Sequence, residues 1–285
     1  MDTATPVAAA AAEALSRGPP EDAFGAALAL FHRHSTQNPA AVAALQALGI
    51  LPARACADLA ILDIGAGEGR LPALLQPFAR TLVLVEPNPG CVARLRRRWP
   101  AVRARPWDDA TAQALQRAHP AGFDLVTMSH MLYHLDGLAG IRAGLRAALA
   151  LVRPGGHLAV VVNQPSAPTV RAGVAFMRAQ GRHAEAATNE ALHRHCHDPG
   201  FYADVGAGTC DVTLVPVACP LRGVPSRTAL VALLRMPLLD PRAARADDLP
   251  ALDAWLAAWL DREYPGLAYP ATLDGTDDLV AVRRR

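Results

Sequence analysis

The chain contains 285 residues, of which 52% are hydrophobic and 19% are charged. This balance is typical of a globular protein with a buried core and excludes a disordered or fibrous chain. The formal net charge is only +2, and arginine supplies every basic side chain apart from histidine. A nucleic-acid binder carries a basic stripe with aromatic residues among the charges, whereas the arginine cluster at Arg94 and in the run from Arg96 to Arg98 resembles the solvated face of a helix. The composition therefore disfavours a nucleic-acid partner.

The cysteines and the apolar segments bear on the cellular compartment. The five cysteines are odd in number and include no C-x-x-C pair, so neither a disulfide framework nor a zinc ribbon is predicted. The alanine run Ala8–Ala12 is followed by Glu13 and preceded by no basic segment, unlike a signal peptide. No uninterrupted apolar stretch reaches the roughly 18 residues of a membrane helix. We expect a cytoplasmic protein with no membrane partner.

A strand, a glycine loop and a helix open the regular pattern. Leu59–Ile64 is apolar except for Asp63 and predicts a buried strand, after which glycines follow at alternate positions and Arg70–Gln76 predicts a helix. Strands and helices then alternate: strands at Thr81–Val85, Val102–Pro106, Phe123–Met128 and His157–Val162, with helices up to Trp99, at about Asp108–Ala118 and at Leu138–Val152. This alternation predicts an α/β fold with a parallel, doubly wound sheet.

The alternation breaks after Asn163. Helical segments are predicted at about Thr169–Gln180, Asn189–Cys196, Ser226–Arg235 and Leu249–Asp261, with strands at Val212–Ala218 and Leu279–Val282. We therefore predict an N-terminal helical cap over residues 1–50 and a main domain over residues 51–285. Helical insertions in that domain are expected at about 164–205 and 221–265. They should cover the carboxyl ends of the strands, where ligands of open α/β sheets bind.

The glycine loop and one acidic residue predict a cofactor site. Glycines such as Gly65 and Gly67 let the backbone turn sharply and approach a ligand. The spacing is G-x-G-x-G and lacks the G-x-G-x-x-G form of the dinucleotide fingerprint. Glu86, at the tip of the second strand, is placed to hold a ribose diol. The alternative is that Glu86 only caps the turn before Pro87.

The successive segments ILDIGAGEG, VEPN, WDD, FDLVTMSHMLYHL and LVRPGGHLAVVV resemble the ordered motifs of class I S-adenosylmethionine-dependent methyltransferases. The resemblance covers residues 59–163. It implies a Rossmann-like, mostly parallel, seven-stranded sheet with an antiparallel last strand, and S-adenosylmethionine as cofactor. It places Glu86 on the ribose, and Asp108 or Asp109 near the adenine amine. The cofactor-binding residues that it implies are Asp63, Gly65, Gly67, Glu86, Pro87, Asp108, Asp109, Ser129 and His130.

A narrower resemblance lies outside these motifs. The segment FHRHSTQ, which ends at Gln37, and the segment MSHMLYH, which ends at His134, are similar to histamine N-methyltransferase and its relatives. The substrate-binding residues that this implies are His34, Gln37, Tyr133 and His134. Gln37 stands where those enzymes carry a carboxylate for the substrate amine. The chain therefore favours a neutral or weakly acidic acceptor over an aliphatic ammonium group.

The residues after the fourth strand are the candidate catalytic groups. Methyl transfer from a sulfonium is an in-line displacement, so a base is needed only where the nucleophile must lose a proton. His134 is the expected base, Tyr133 is expected to orient the acceptor, and His130 is a further candidate. The alternative is that His130 contacts the cofactor through its backbone while Tyr133 and His134 pack or cap the next helix.

A pair of histidines in one predicted helix raises the question of a metal site. His193 and His197 share a helix face at i and i+4, as in zinc-binding helices, but no H-E-x-x-H motif and no third ligand is present. We predict no metal site.

The predicted function is methyl transfer from S-adenosylmethionine to a nitrogen or oxygen of a small molecule. The alternatives are a tRNA or protein methyltransferase and a non-catalytic S-adenosylmethionine-binding regulatory protein; the oligomeric state is not predicted.

Overall fold

The computed structural model describes residues 20–235 and 249–285. The helices in this part of the chain are α1 (Pro20–His34), α2 (Gln37–Ala47), α3 (Arg70–Leu75), α4 (Pro89–Leu95), α5 (Asp109–Ala118), α6 (Gly137–Ala150), α7 (Pro168–Ala179), α8 (His183–Cys196), α9 (Pro199–Val205), α10 (Arg227–Arg235) and α11 (Leu249–Glu263). The strands are β1 (Leu59–Ile64), β2 (Ala79–Val85), β3 (Phe123–Ser129), β4 (Val152–Asn163), β5 (Cys210–Ala218), β6 (Leu221–Val224), β7 (Ala271–Leu273) and β8 (Thr276–Arg284). Short 3₁₀ helices span Gln76–Phe78 and Leu132–His134.

The main sheet has the strand order β2-β1-β3-β4-β8-β5. Strands β2, β1, β3 and β4 are mutually parallel, and β8 runs antiparallel to β4. This arrangement confirms the predicted α/β fold, with its mostly parallel sheet and its antiparallel last strand. Because the carboxyl ends of parallel strands meet at one edge, the residues after β1, β2 and β3 lie along the same edge of the sheet.

The predicted strand Val102–Pro106 is the main departure from expectation. In the described residues this segment forms one isolated bridge, between Arg103 and Val85, so the main sheet has six strands where seven were predicted. The segment has a charged side chain at Arg103 and at Arg105, and Pro106 has no N–H to donate to a ladder. The bridge still lies beside β2, on the outer side of the sheet.

Both faces of the sheet are buried. Ile61 on β1 and Leu125 on β3 pack into one hydrophobic cluster, together with Leu45 of α2. Their chain neighbours Leu62 and Val126 pack into a second cluster, with helix α6. Side chains alternate between the faces of a strand, so this division is what a parallel sheet covered by helices on both sides requires.

The chain divides into two compact units. Unit 2 comprises Asn38–Asn163, Leu192–Val217 and Asp277–Arg285, and it contains the main sheet. Unit 1 comprises the described residues before Asn38, together with Gln164–Ala191 and those of Ala218–Thr276 that the structure describes.

Unit 1 has a separate hydrophobic core. It is built from α1, α7, α10 and α11, and it includes the two-stranded ribbon β6-β7. The described parts of residues 164–205 and 221–265 are largely helical. The predicted boundary at residue 50, and the covering of the strand ends by the insertions, stay predictions. The alanine run Ala8–Ala12 lies outside the described residues.

Two sequence expectations concern membranes and disulfides. In residues 20–235 and 249–285, no helix has the length and apolar character needed to cross a membrane. The cysteines are free thiols, and all except Cys56 are buried.

Candidate functional site

The loop between β1 and α3 has the backbone that its glycines predict. Gly65 has φ +80° and Gly67 has φ +55°, a left-handed conformation that favours glycine. A Cβ atom on Gly65 would lie 2.8 Å from Cβ of Met131, whereas one on Gly67 would meet no atom within 4 Å. The Gly67 backbone is therefore open to close approach by a ligand, and a side chain there would fill that space.

Glu86 lies directly beside this loop. It follows β2 and is only 6% exposed. Its Oε2 accepts a hydrogen bond from the Gly67 N–H at 2.7 Å, and its Oε1 accepts one from the Asn88 N–H at 2.8 Å. Burial raises the pKa of Glu86, while these two hydrogen bonds, His134 and Arg94 oppose the increase. A carboxylate accepts up to about four hydrogen bonds, so Glu86 retains capacity for ribose hydroxyls.

Asp63 lies beneath the loop, inside the sheet. It is buried, and its Oδ1 accepts a hydrogen bond from the hydroxyl of Thr127 on the neighbouring strand β3. Burial raises the pKa of Asp63 to about 7; Thr127 lowers it and Glu86 raises it further. Asp63 thus joins the ends of β1 and β3 at the point where the glycine loop begins.

The predicted adenine-side acids lie at the start of α5. Asp108 is the N-cap of this helix, and its Oδ1 accepts a hydrogen bond from the Thr111 N–H at 2.7 Å. The hydrogen bonds from Thr111 lower the pKa of Asp108. Asp109 lies in the first helical turn. Asp108 is therefore held in place by a structural contact, and its role at the adenine, like that of Asp109, stays a prediction.

The end of β3 carries an unusual backbone. His130 follows Ser129 with φ +53°, a left-handed conformation that a residue with a side chain seldom adopts. Its N–H donates to the Val161 carbonyl at 2.9 Å, which holds the turn. Its Nε2 lies 3.3 Å from Oδ2 of Asp277, at the start of β8. Sequence analysis did not single out Asp277, although an acidic pair at the start of an apolar strand was a visible signal.

Tyr133 and His134 lie in the 3₁₀ helix that follows. The Tyr133 hydroxyl accepts a hydrogen bond from the Asn163 N–H at 2.6 Å, and its ring centroid is 5.0 Å from that of His193. Burial and the nearby Asp277 hold the pKa of Tyr133 well above 10. His134 is exposed and lies close enough for its charge to lower the pKa of Glu86. The structure thus brings His134 toward the cofactor residues and Tyr133 toward the end of β4.

The second histidine cluster holds the end of β4. Nδ1 of His197 lies 2.6 Å from Oδ2 of Asp278, and its Nε2 lies 3.0 Å from the Asn163 carbonyl oxygen. His193 is 3.3 Å from the same carbonyl through Nδ1. Burial lowers the pKa of His193 to about 4, and the charge of His197 adds to this effect.

Among the residues the structure describes, no group of three or more His, Cys, Asp or Glu side chains could hold a metal ion.

The two remaining predicted substrate residues lie in unit 1. The His34 Nδ1 lies 2.9 Å from the Arg222 carbonyl. Gln37 is buried, and its N–H donates to the Ser35 hydroxyl at 3.1 Å. Their roles in binding an acceptor stay predictions.

A glycine loop after one parallel strand and a buried carboxylate after the next define an adenosyl-cofactor site of the class I methyltransferase type. The family model described as "Methyltransferase domain" matches residues 28–204, more than half of the chain. The chain therefore belongs to this methyltransferase family, and its cofactor is S-adenosylmethionine. The open Gly67 backbone and the unused hydrogen-bonding capacity of Glu86 fit that cofactor.

Individual relatives are distant. Nodulation protein S of Sinorhizobium fredii is 27% identical over 97 residues, which span 34% of this chain and 44% of that protein. The YcgJ protein of Bacillus subtilis has a similar fold, with a TM-score of 0.50, 14% identity and coverage of 85% of this chain and 99% of the other. A protein of Bacillus halodurans C-125 gives a TM-score of 0.51 and 14% identity, with coverage of 85% and 97%. The chain thus matches less than half the length of the nodulation protein.

Proposed function

We propose that this protein transfers a methyl group from S-adenosylmethionine to a nitrogen or oxygen of a small-molecule acceptor. The cofactor supplies an electrophilic methyl group on a sulfonium. One observation carries the proposal: unit 2 has cofactor-type residues at the ends of β1 and β2, and ionisable side chains gather after β3, around the end of β4 and at the start of β8. A site that only stored the cofactor would not need that second group of residues.

The chain's own residues have distinct tasks in this proposal. Glu86 holds the ribose, and the glycine loop brings the backbone N–H groups to the cofactor. His130, Tyr133 and His134 belong to the acceptor side, where a base is needed only for a nucleophile that carries a removable proton. Among these three side chains, Tyr133 has a raised pKa, and its hydroxyl already accepts a hydrogen bond from β4. Tyr133 is therefore better suited to orient an acceptor than to take its proton.

The acceptor class is the finer part of the proposal. A tRNA or protein substrate calls for a basic surface, which the net charge of +2 does not favour. A small molecule is therefore preferred. The relatives reported above give no support to the narrower link with histamine N-methyltransferases, and we do not include histamine specificity in the proposal.

A cofactor-dependent acceptor screen tests the proposal. Purified protein is incubated with S-adenosylmethionine and a panel of amines, phenols and imidazoles, and S-adenosylhomocysteine formation is measured. Glu86→Ala should weaken binding of both forms of the cofactor about tenfold or more, because charge-assisted hydrogen bonds contribute roughly 1.5–3 kcal/mol each. Asp58→Ala, an exposed acid just before β1, is the matched control. Unchanged affinity in Glu86→Ala would refute the ribose assignment, and binding without transfer to any acceptor would favour a regulatory protein.

A further inference from the structure

Asp277 is a buried carboxylate at the start of β8. Its side chain is 2% exposed, and within residues 20–235 and 249–285 neither carboxylate oxygen has a hydrogen-bond partner. The basic group beside it is His130, with Nε2 at 3.3 Å from Oδ2 but outside hydrogen-bond geometry. The other ring nitrogen of His130, Nδ1, is buried and has no hydrogen-bond partner in the same described residues. Such groups are costly to bury, so their persistence points to a task other than stability.

The neighbouring carboxylate, that of Asp278, differs from Asp277 in having a hydrogen-bond partner. Asp278 is equally buried, but its Oδ2 is bonded to Nδ1 of His197 at 2.6 Å. The side chains of adjacent strand residues point to opposite faces, so the two acids serve different surroundings. One is satisfied within the fold, whereas the other has open hydrogen-bonding capacity.

The position of Asp277 separates it from the cofactor loop. Asp277 pairs with Asn163 at the carboxyl end of β4, and β3 and β4 lie between β1 and β8 in the strand order. Neighbouring strands are about 4.8 Å apart, so three steps place Asp277 roughly 14 Å from the strand that carries the glycine loop. Asp277 therefore lies on the far side of β3 from the residues assigned to the ribose, where an acceptor belongs.

We propose that His130 and Asp277 form the acid–base pair of the acceptor site and that the acceptor is a protonated amine. This inference rests on the proposed function. With neutral His130 the pair carries one negative charge, which a bound ammonium group balances. Asp277 thus provides the carboxylate that Gln37 does not, and it reverses the preference for a neutral acceptor that the sequence alone gave.

In this arrangement the proton passes from the ammonium group to His130. With its hydrogen on Nε2, 3.3 Å from Oδ2 of Asp277, His130 has the lone pair of Nδ1 to accept a proton from the ammonium group. The amine nitrogen thereby gains the lone pair with which it forms the new N–CH₃ bond, and the methyl–sulfur electron pair stays on sulfur as a thioether. His130, now an imidazolium stabilised by Asp277, returns its proton to solvent. Asp277 acts through His130 and is a positioning residue.

Tyr133, Cys196 and Tyr202 are ionisable neighbours of the pair, and His193 and His197 lie at the same end of β4. Asp277 raises the pKa of Tyr133, and Cys196 and Tyr202 add to that increase. All three are buried acids that stay neutral near pH 7.

The first test is the melting temperature at pH 8.5, with S-adenosylhomocysteine present in excess. Asp277→Asn removes a buried carboxylate that has no hydrogen-bond donor in the described residues and should raise the melting temperature by about 2–6 °C. Asp278→Asn, the matched control, breaks the contact with His197 and should lower it. A lower melting temperature in Asp277→Asn would show that this carboxylate is structural and would overturn the proposal. This readout needs no acceptor.

The second test is the site of methylation. Phenethylamine, tyramine and histamine are supplied, because the last two combine an amine with a phenol or an imidazole in one molecule. We expect the methyl group on the aliphatic nitrogen, a loss of about 30-fold or more in kcat/KM in Asp277→Asn, and partial recovery in Asp277→Glu. Affinity for S-adenosylhomocysteine should not change in either variant. Methylation of the ring or hydroxyl group, with Asp277→Asn fully active, would refute the pair and leave the proposed function intact. Absence of transfer to any member of the wider acceptor panel would instead refute the proposed function.

Discussion

Gly67 offers the sharpest test of the cofactor site at the level of single residues. Its φ of +55° disfavours a side chain, yet a Cβ atom there would meet no protein atom. Gly155 in β4 has φ +77° and is equally open, but it lies outside the site. Gly67→Ala and Gly155→Ala should each lose about 1–2 kcal/mol of stability, measured by urea unfolding. Only Gly67→Ala should also lose affinity for S-adenosylhomocysteine in calorimetry, and equal affinities in the two variants would exclude a close approach of the cofactor to Gly67.

The raised pKa of Asp63 predicts how the free energy of unfolding depends on pH. Its pKa is about 7 in the folded chain and 3.8 in the unfolded reference, so the folded state holds the proton more tightly. The stability that this proton gives is complete below pH 3.8 and is lost as the pH rises to about 7, by on the order of a few kcal/mol. Asp63→Asn should therefore be more stable than wild type at pH 8, with a difference that shrinks toward pH 5. Parallel stability curves for the two proteins between pH 5 and 8 would contradict the assignment.

The sequence predicted some of these residues because their signals are local. Glycines at alternate positions and an acid at a strand tip mark Gly67 and Glu86 without any knowledge of the fold. Asp277 could not be assigned in this way, because it is more than a hundred residues from His130 and meets it only when β8 inserts antiparallel beside β4. The contact of Thr127 with Asp63 likewise exists only once β1 and β3 are adjacent.

The accuracy of the predicted helices and strands likewise depends on how local their sequence signals are. Strand β1 was predicted with its observed limits because a short apolar run ending in glycines has few alternative structures. Helix α8 begins at His183, six residues before the predicted start at Asn189, since its first turns are polar and carry little periodic signal. Helix α9 and the β6-β7 ribbon were not predicted because they are short, and tertiary packing decides short elements more than propensity does.

A second prediction about the pH dependence of stability concerns His193 in helix α8. The pKa of His193 falls from 6.5 to about 4 on folding, mainly through burial, so the folded state favours the neutral ring. The resulting stability is present above pH 6.5 and is lost as the pH falls to 4, by on the order of 1–3 kcal/mol. His193→Gln should reduce the loss of stability between pH 7.5 and pH 5 in urea unfolding. His195→Gln, an exposed position on the same helix, should retain the wild-type loss, and identical losses in all three proteins would rule out a buried neutral His193.

At the scale of the whole chain, neither compact unit is one continuous segment. Unit 2 is assembled from three stretches, and unit 1 takes its residues from before the first stretch and from the two intervals between them. Sequence periodicity records only whether a segment is helical or extended, and so it could predict helical insertions without predicting that they share a core of their own. The predicted division at residue 50 reflects this limit, because a change in local pattern marks an element boundary and not the unit to which the element belongs.

The location of the cofactor residues predicts how binding distributes protection over the molecule. The residues proposed for the cofactor, Gly67, Glu86 and Asp108, belong to unit 2, as does His130, which is proposed for the adjoining acceptor site. A ligand at 100 times its dissociation constant stabilises the bound state by about 2.7 kcal/mol, which slows exchange roughly 100-fold for amides that open only when the ligand leaves. Hydrogen exchange with saturating S-adenosylhomocysteine should therefore slow strongly at the amides of Gly67 and His130. Amides of the β6-β7 ribbon in unit 1 should change less than about threefold, because local opening there does not release the ligand. Equal protection in both units would show that they open only together, and it would contradict a cofactor site formed by unit 2 alone.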